Sequence, residues 1–266
     1  MNQPNALSIA PDGTIWVAGE NRLAAYTPEG APVKQFTISG TPECMAFAGD
    51  ARLFLGLRDR IMILDAGGNK IAEWPIPGEK PYCTSLAVSD TSVYIADAGG
   101  RIIWRMDPSG NVQNKIGERI PDRKNTGLIV PSPHLDVART PSGELWTTNP
   151  GRHGIEYYRD NGEMVTSWYR PGMGWDGFCG CCNPVHIAFL SNGSIVTAEK
   201  GLTRVKVYSP DTSLSAVVAG PAQFEAAGRV PEDTSAIKDL AVDGRDRVWV
   251  LYGPGKIGRA SCRERV

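Results

Sequence analysis

One phrase recurs six times in this chain, each copy running from a short apolar stretch through a polar turn into a second apolar stretch. The copies are LSIAPDGTIWV (7–17), MAFAGDARLFL (45–55), LAVSDTSVYI (86–95), VARTPSGELWT (137–147), IAFLSNGSIVT (187–197) and LAVDGRDRVWV (240–250). The first apolar residue after each turn is Ile15, Leu53, Val93, Leu145, Ile195 and Val248, at spacings of 38, 40, 52, 50 and 53 residues. The first five phrases are each followed by a second strand–turn–strand unit, as in LAAYTPEG (23–30) with VKQF (33–36), or IEYYRDNG (155–162) with MVTSW (164–168). A period of 40–50 residues with about four short strands per unit is the signature of a β-propeller. The expected fold is all-β: a single toroid of six four-stranded blades, the last incomplete, with almost no helix.

Expected blade limits are about 5–37, 43–78, 83–117, 133–169, 183–219 and 237–257. Asp, Asn and Gly in the turns suit backbones that need a positive φ or a self-capping side chain. Trp16, Trp104, Trp146 and Trp249 fall on apolar strand positions and read as packing between blades. At 266 residues, 41% hydrophobic and net charge −1, the chain can bury a large core. It lacks the charge excess that nucleic-acid or acidic-lipid binding requires. No run of 18 apolar residues occurs, so no membrane span is expected, and the protein is read as a monomer.

The start at Met1 lies only six residues before the first repeat, so the missing leader says little about compartment; the cysteine content leans towards an exported parent. The stretch GRASCRERV (258–266) is arginine-rich without strand pattern, where another outer strand should be. It is read as a non-native appendage that forms no strand, with a genuine charged tail as the alternative.

The repeats resemble NHL repeats, on the turn phrases quoted above and over nearly the whole chain. IVPSPHLDVA (129–138), NPGRHGIEYY (149–158), FCGCCNPVHIAF (178–189) and EKGLTRVKVYSPD (199–211) resemble, more narrowly, a bacterial group of NHL propellers carrying a CGCCNP motif. The resemblance implies an NHL/TolB-like six-bladed fold and leaves the chemistry open.

In such a toroid the innermost strands line the channel and their entry loops form one face. The residues just before each innermost apolar run are Ala6, Cys44, Ser85, Asp136, His186 and Asp239, with Cys83, Cys182 and His134 slightly upstream. Register alone brings them together, and a one-residue slip would turn each side chain away. Cys179, Cys181 and Cys182, followed by His186, offer three thiols and an imidazole. That is a donor set for Zn²⁺, for Cu(I) or for an iron–sulfur group. Structural disulfides are the competing reading. Cys44 and Cys83 would then pair with members of the cluster, the adjacent Cys181 and Cys182 joining each other only in a strained ring. Inert thiols are the third.

Asp136 and Asp239 suit either a cation or base role or the capping of loop amides. His134 and His153 are further ligand candidates or solvated loop residues, and Arg152 is a candidate for holding an anion. Two readings follow. The first is a module binding a protein or small-molecule ligand at the channel face. The second is a metal-dependent propeller enzyme, a lyase or lactonase-like hydrolase, using the same rim. Peptidyl-hydroxyglycine amidating lyases want three rim histidines, whereas His153 lies between second and third strands. Gluconolactonase-like calcium hydrolases carry an Asn-Asp pair where this chain has Leu135-Asp136. Neither template fits.

Overall fold

The computed structural model describes residues 4–120, 126–227, 237–253 and 256–261. It is a ring of six antiparallel sheets, five with four strands and one with three, each built from consecutive strands in simple meander order. Strands are lettered A to D from the channel outwards. The A strands are Ala6–Ile9, Cys44–Phe47, Cys83–Val88, Val137–Arg139, His186–Phe189 and Ile237–Val242. The sequence reading of a six-bladed propeller with an incomplete last blade is met. Among the described residues the helices are one α-helix, Pro221–Ala226, and a 3₁₀ turn, Pro150–Arg152.

Burial falls from the middle of each blade to its rim. The B strands Ile15–Gly19, Val93–Asp97 and Ile195–Glu199 are buried at every residue, because a neighbouring blade covers each face. The D strand Pro32–Thr37 is almost wholly exposed and correspondingly polar. The core is six clusters, one in each gap between blades. Phe54, Ile63, Ile95 and Trp104 fill the gap between blades 2 and 3, and Leu7, Val17, Trp249 and Leu251 fill that between blades 6 and 1. A fully buried Leu, Val or Phe contributes roughly 1.5–3 kcal/mol, so the ring is held by these gaps. The four tryptophans of the repeats pack there. Trp16 stacks on Phe36 with ring centroids 5.9 Å apart, and Trp249 Nε1 donates to Asp243 Oδ2 at 2.9 Å. The A–B turns behave as their residues dictate: Asp12 Oδ1 accepts from the Thr14 amide at 2.9 Å, and Gly13 adopts a φ of 84°.

One expectation is corrected. Lys256–Ser261 forms a third strand on blade 6, paired residue for residue with Arg247–Tyr252. Residues 258–261 therefore belong to a sheet, while 262–266, with Cys262, lie outside the described residues. The pairing uses backbone groups on an otherwise open edge, which any side chains allow. Arg259 adds a guanidinium 5.9 Å from the Trp249 ring.

Candidate functional site

In blades 3, 4 and 6 a residue at the entry to the A strand reaches towards the next blade. Ser85 Oγ accepts from Val137 N at 3.2 Å. Asp136 Oδ2 accepts from Ile187 N at 2.6 Å, and Asp239 Oδ2 accepts from Leu7 N at 2.7 Å. The other oxygens of the two acids accept from the amides of Val137 and Leu240. Four of the six gaps thus have their latch position filled by a polar or sulfur side chain from the preceding blade, and Asp239 closes the ring onto blade 1. Both acids spend their oxygens on amides, the capping role that the sequence left open. Burial pushes the Asp136 carboxyl up to about 6. Burial also raises Asp239 well above the usual range, and Asp136 adds to the shift.

In blade 2 the latch position is Cys44, and its sulfur meets a sulfur. Cys44 Sγ lies 3.4 Å from Cys83 Sγ, both buried. The expected pairing of these thiols with the 179–182 cluster is corrected: they face each other. They fit because Gly56 has no side chain. A Cβ there would stand 2.4 Å from one sulfur and 2.6 Å from the other.

The CGCC turn lies on the loop that enters blade 5. Cys179 is buried and its amide points at Glu199 Oε2, 3.3 Å away. Cys181 is exposed, with its sulfur 2.9 Å from that of the buried Cys182, so the adjacent pair meets directly. For Cys182, burial opposes the thiolate, but hydrogen bonds from Cys181 and Ser132 and the nearby Lys200 ammonium hold the thiol below its ordinary value. His186 turns instead to Asp136, with Nδ1 3.8 Å from Oδ2. Among the described residues no three His, Cys, Asp or Glu side chains converge as a metal site requires. In this arrangement Cys179, Cys181, Cys182 and His186 do not converge on one point as a Cys₃His zinc centre requires.

The channel mouth is a cavity of about 190 Å³ lined by Asn5, Glu43, Tyr82, Thr84, His134, His186 and Lys238, with Pro133, Leu135 and Val185. Burial depresses the His134 imidazole to about 3, assisted by the Lys200, His186 and Lys238 charges. Burial alone takes His186 to about 4. Both rings are neutral at pH 7, each with one donor and one acceptor nitrogen. Burial raises the Glu43 carboxyl, against the pull of Arg58, whose guanidinium lies 4.4 Å from the Tyr82 ring centroid. A second cavity of about 250 Å³ is ringed by residues of all six A strands, with Cys44, Ser85, Asp136 and Asp239 around it. A larger cavity, about 430 Å³, lies between blade 1 and the three-stranded blade 6 and is lined chiefly by Ile15, Val17, Tyr26, Trp249 and Ile257. Glu29 and Arg259 stand among its lining as well.

Two candidates stand apart from the mouth. Arg152 stacks on Tyr169, its guanidinium 4.8 Å from the ring centroid, and donates to the phenol oxygen at 3.2 Å. His153 follows it with φ 57° and a buried Nδ1 that has no hydrogen-bond partner in the structure.

A second set of positions escaped the sequence reading. The last residue of the B strand in blades 3, 4 and 5 anchors that blade's own entry loop. Asp97 Oδ1 accepts from Tyr82 N at 2.8 Å, Asn149 Oδ1 from Ile129 N at 3.0 Å, and Glu199 from Cys179 N. The signal was present as an acid or amide closing three B strands: IAD, TTN and TAE. Glu199 does more, because Arg204 Nη2 and Lys206 Nζ each lie 2.7 Å from one of its oxygens, all three side chains being buried. The Lys206 approach is an ion pair without good hydrogen-bond alignment. Both cations also donate to the Gly177 carbonyl, at 3.2 and 2.7 Å, pinning the CGCC loop to blade 5.

Solved structures share this architecture. Virginiamycin B lyase from Staphylococcus aureus is 13% identical over 99% of this chain and 86% of that one, with a TM-score of 0.63. Hydrazine synthase of Kuenenia stuttgartiensis is 13% identical over 98% and 84%, with a TM-score of 0.63. A chain of the mitotic checkpoint complex is 11% identical over 99% and 89%, with a TM-score of 0.65. At such identities the likeness carries the fold alone. No family model and no curated relative matches the chain.

Proposed function

We propose that this propeller is a binding module whose ligand is a small zwitterion, such as a short peptide, held at the A-strand mouth. The observation that carries the reading is the composition of the mouth cavity. Lys238 offers a cation for a carboxylate and Glu43 an acid for an ammonium. Between them the neutral imidazoles of His134 and His186, with Asn5, Thr84 and Tyr82, supply the paired donors and acceptors that amide groups need. Few convergent polar groups in a concave, partly apolar pocket are the general form of a small-molecule site.

A second reading rests on the same imidazoles. Held unprotonated at neutral pH, they are in the form a general base requires. One solved neighbour is a virginiamycin B lyase described as catalytically inactive when a histidine is replaced by alanine, in a structure with quinupristin. One experiment serves both readings. A panel of di- to tetrapeptides, with quinupristin alongside, is screened by saturation-transfer NMR, and the samples are then analysed for chemical change. Binding by the wild-type chain is expected, lost at least tenfold in His134→Ala and Lys238→Ala and kept in Cys181→Ser. Binding that survives both mouth substitutions would overturn the assignment. Conversion of a bound peptide, abolished by His186→Gln, would establish the enzyme.

A further inference from the structure

We propose that Cys44 and Cys83 form a disulfide that ties blade 2 covalently to blade 3 at the channel wall. Three observations converge on it. The two sulfurs are 3.4 Å apart across the gap between A strands, on residues 39 apart in sequence. A disulfide holds its sulfurs at about 2.0 Å, so the two need approach by little more than about 1 Å. Secondly, Cys44 occupies the latch position that Ser85, Asp136 and Asp239 fill in blades 3, 4 and 6. Those residues bind the next blade through backbone amides. In blade 2 the partner across the gap is another sulfur, so the covalent bond does what the hydrogen bonds do elsewhere. Thirdly, Gly56 leaves room for both sulfurs and for nothing larger, since a Cβ there would overlap both.

The neighbourhood disfavours the alternative state. Burial, and after it Cys83, Asp239 and Glu43, raise the Cys44 thiol well above its ordinary value. A thiolate is therefore expensive here, whereas a disulfide is neutral and needs no partner. Formation follows ordinary exchange: two thiols lose two protons and two electrons, and one molecule of a low-molecular-weight disulfide such as glutathione disulfide is reduced to two thiols. Because the folded pair is buried, oxidation takes place as the blades assemble.

The test uses the full chain, reduced and unfolded, then refolded with glutathione disulfide. Remaining thiols are alkylated in denaturant and the digest is read by mass spectrometry. The expected product is a Cys44 peptide joined to a Cys83 peptide and released by dithiothreitol. Oxidised protein should melt roughly 5–10 °C above the reduced form. That shift should vanish in Cys83→Ala and persist in the Cys181→Ser/Cys182→Ser double variant. Alkyl groups on both Cys44 and Cys83 would overturn the proposal, as would linkage of either to Cys179, Cys181 or Cys182. The mapping needs no substitution, so a variant that does not fold leaves the test intact.

Discussion

Replacing Glu199 by Gln should lower the melting temperature by roughly 10 °C. The carboxylate is the counter-ion of both Arg204 and Lys206, and all three side chains are almost fully removed from water. Removing one member of a buried ion cluster leaves the others uncompensated, at about 3–5 kcal/mol, and each kcal/mol moves a domain of this size by about 2–4 °C. Lys206 would have to shed its proton or leave the site. Its amine is already held below the ordinary value by burial, which Glu199 opposes. Differential scanning calorimetry reads the effect. The double variant Glu199→Gln/Lys206→Met should recover part of the loss, because one of the two stranded charges is gone; additive losses would show that the three side chains do not act as a unit. The single variant should also loosen residues 174–179, which Arg204 and Lys206 hold through the Gly174 and Gly177 carbonyls.

The second large effect is on pH dependence, and its sign differs between two sets of buried groups. His134 and His186 have imidazoles depressed from 6.5 to about 3 and about 4. The unfolded chain therefore takes up protons between pH 6.5 and 4 that the folded chain refuses, and stability falls as pH drops through that window. Asp136, raised from 3.8 to about 6, works the other way. The folded chain holds its proton first, so its contribution is present in acid and is lost as pH rises through 6; Asp239 acts in the same direction. At about 1.4 kcal/mol per unit, His134, His186 and Asp136 each contribute on the order of 3 kcal/mol across pH 4–6.5, the acids opposing the imidazoles. Urea unfolding of the wild-type chain should thus vary less between pH 4.5 and 6.5 than in variants that lack either set. His134→Gln/His186→Gln should gain stability on acidification, and Asp136→Asn should lose it. Parallel pH profiles for all three proteins would refute the assignment of these shifts.

The architecture was legible because it is periodic. Six turn phrases, each followed by an apolar residue of the B strand, placed every blade and put Cys44, Ser85, Asp136, His186 and Asp239 at equivalent entries to the A strands. Which groups line the channel followed from that register. What those groups do did not follow, because it turns on side-chain geometry between blades. Cys44 and Asp136 occupy equivalent places, yet one meets a sulfur and the other an amide, and nothing in the local pattern tells them apart. The Cys181–Cys182 contact was hidden for a related reason, as adjacency in sequence suggests a strained link while the turn brings the two sulfurs to 2.9 Å. The strand at 256–261 was missed because its pairing uses backbone alone and leaves no apolar alternation. The anchors Asp97, Asn149 and Glu199 recur in only three blades, so they read as scattered polar residues.

Two neutral imidazoles open to a ligand at the channel mouth are the centre of the proposed site. Their ring nitrogens can be followed directly by long-range ¹H–¹⁵N correlation on uniformly ¹⁵N-labelled protein, which has only three histidines. Between pH 7 and 5 the His134 and His186 rings should stay neutral, and adding a pool of short peptides at pH 7 should shift both saturably while leaving His153 unmoved. Imidazoles titrating near 6.5, or a peptide response that bypasses both rings, would contradict it.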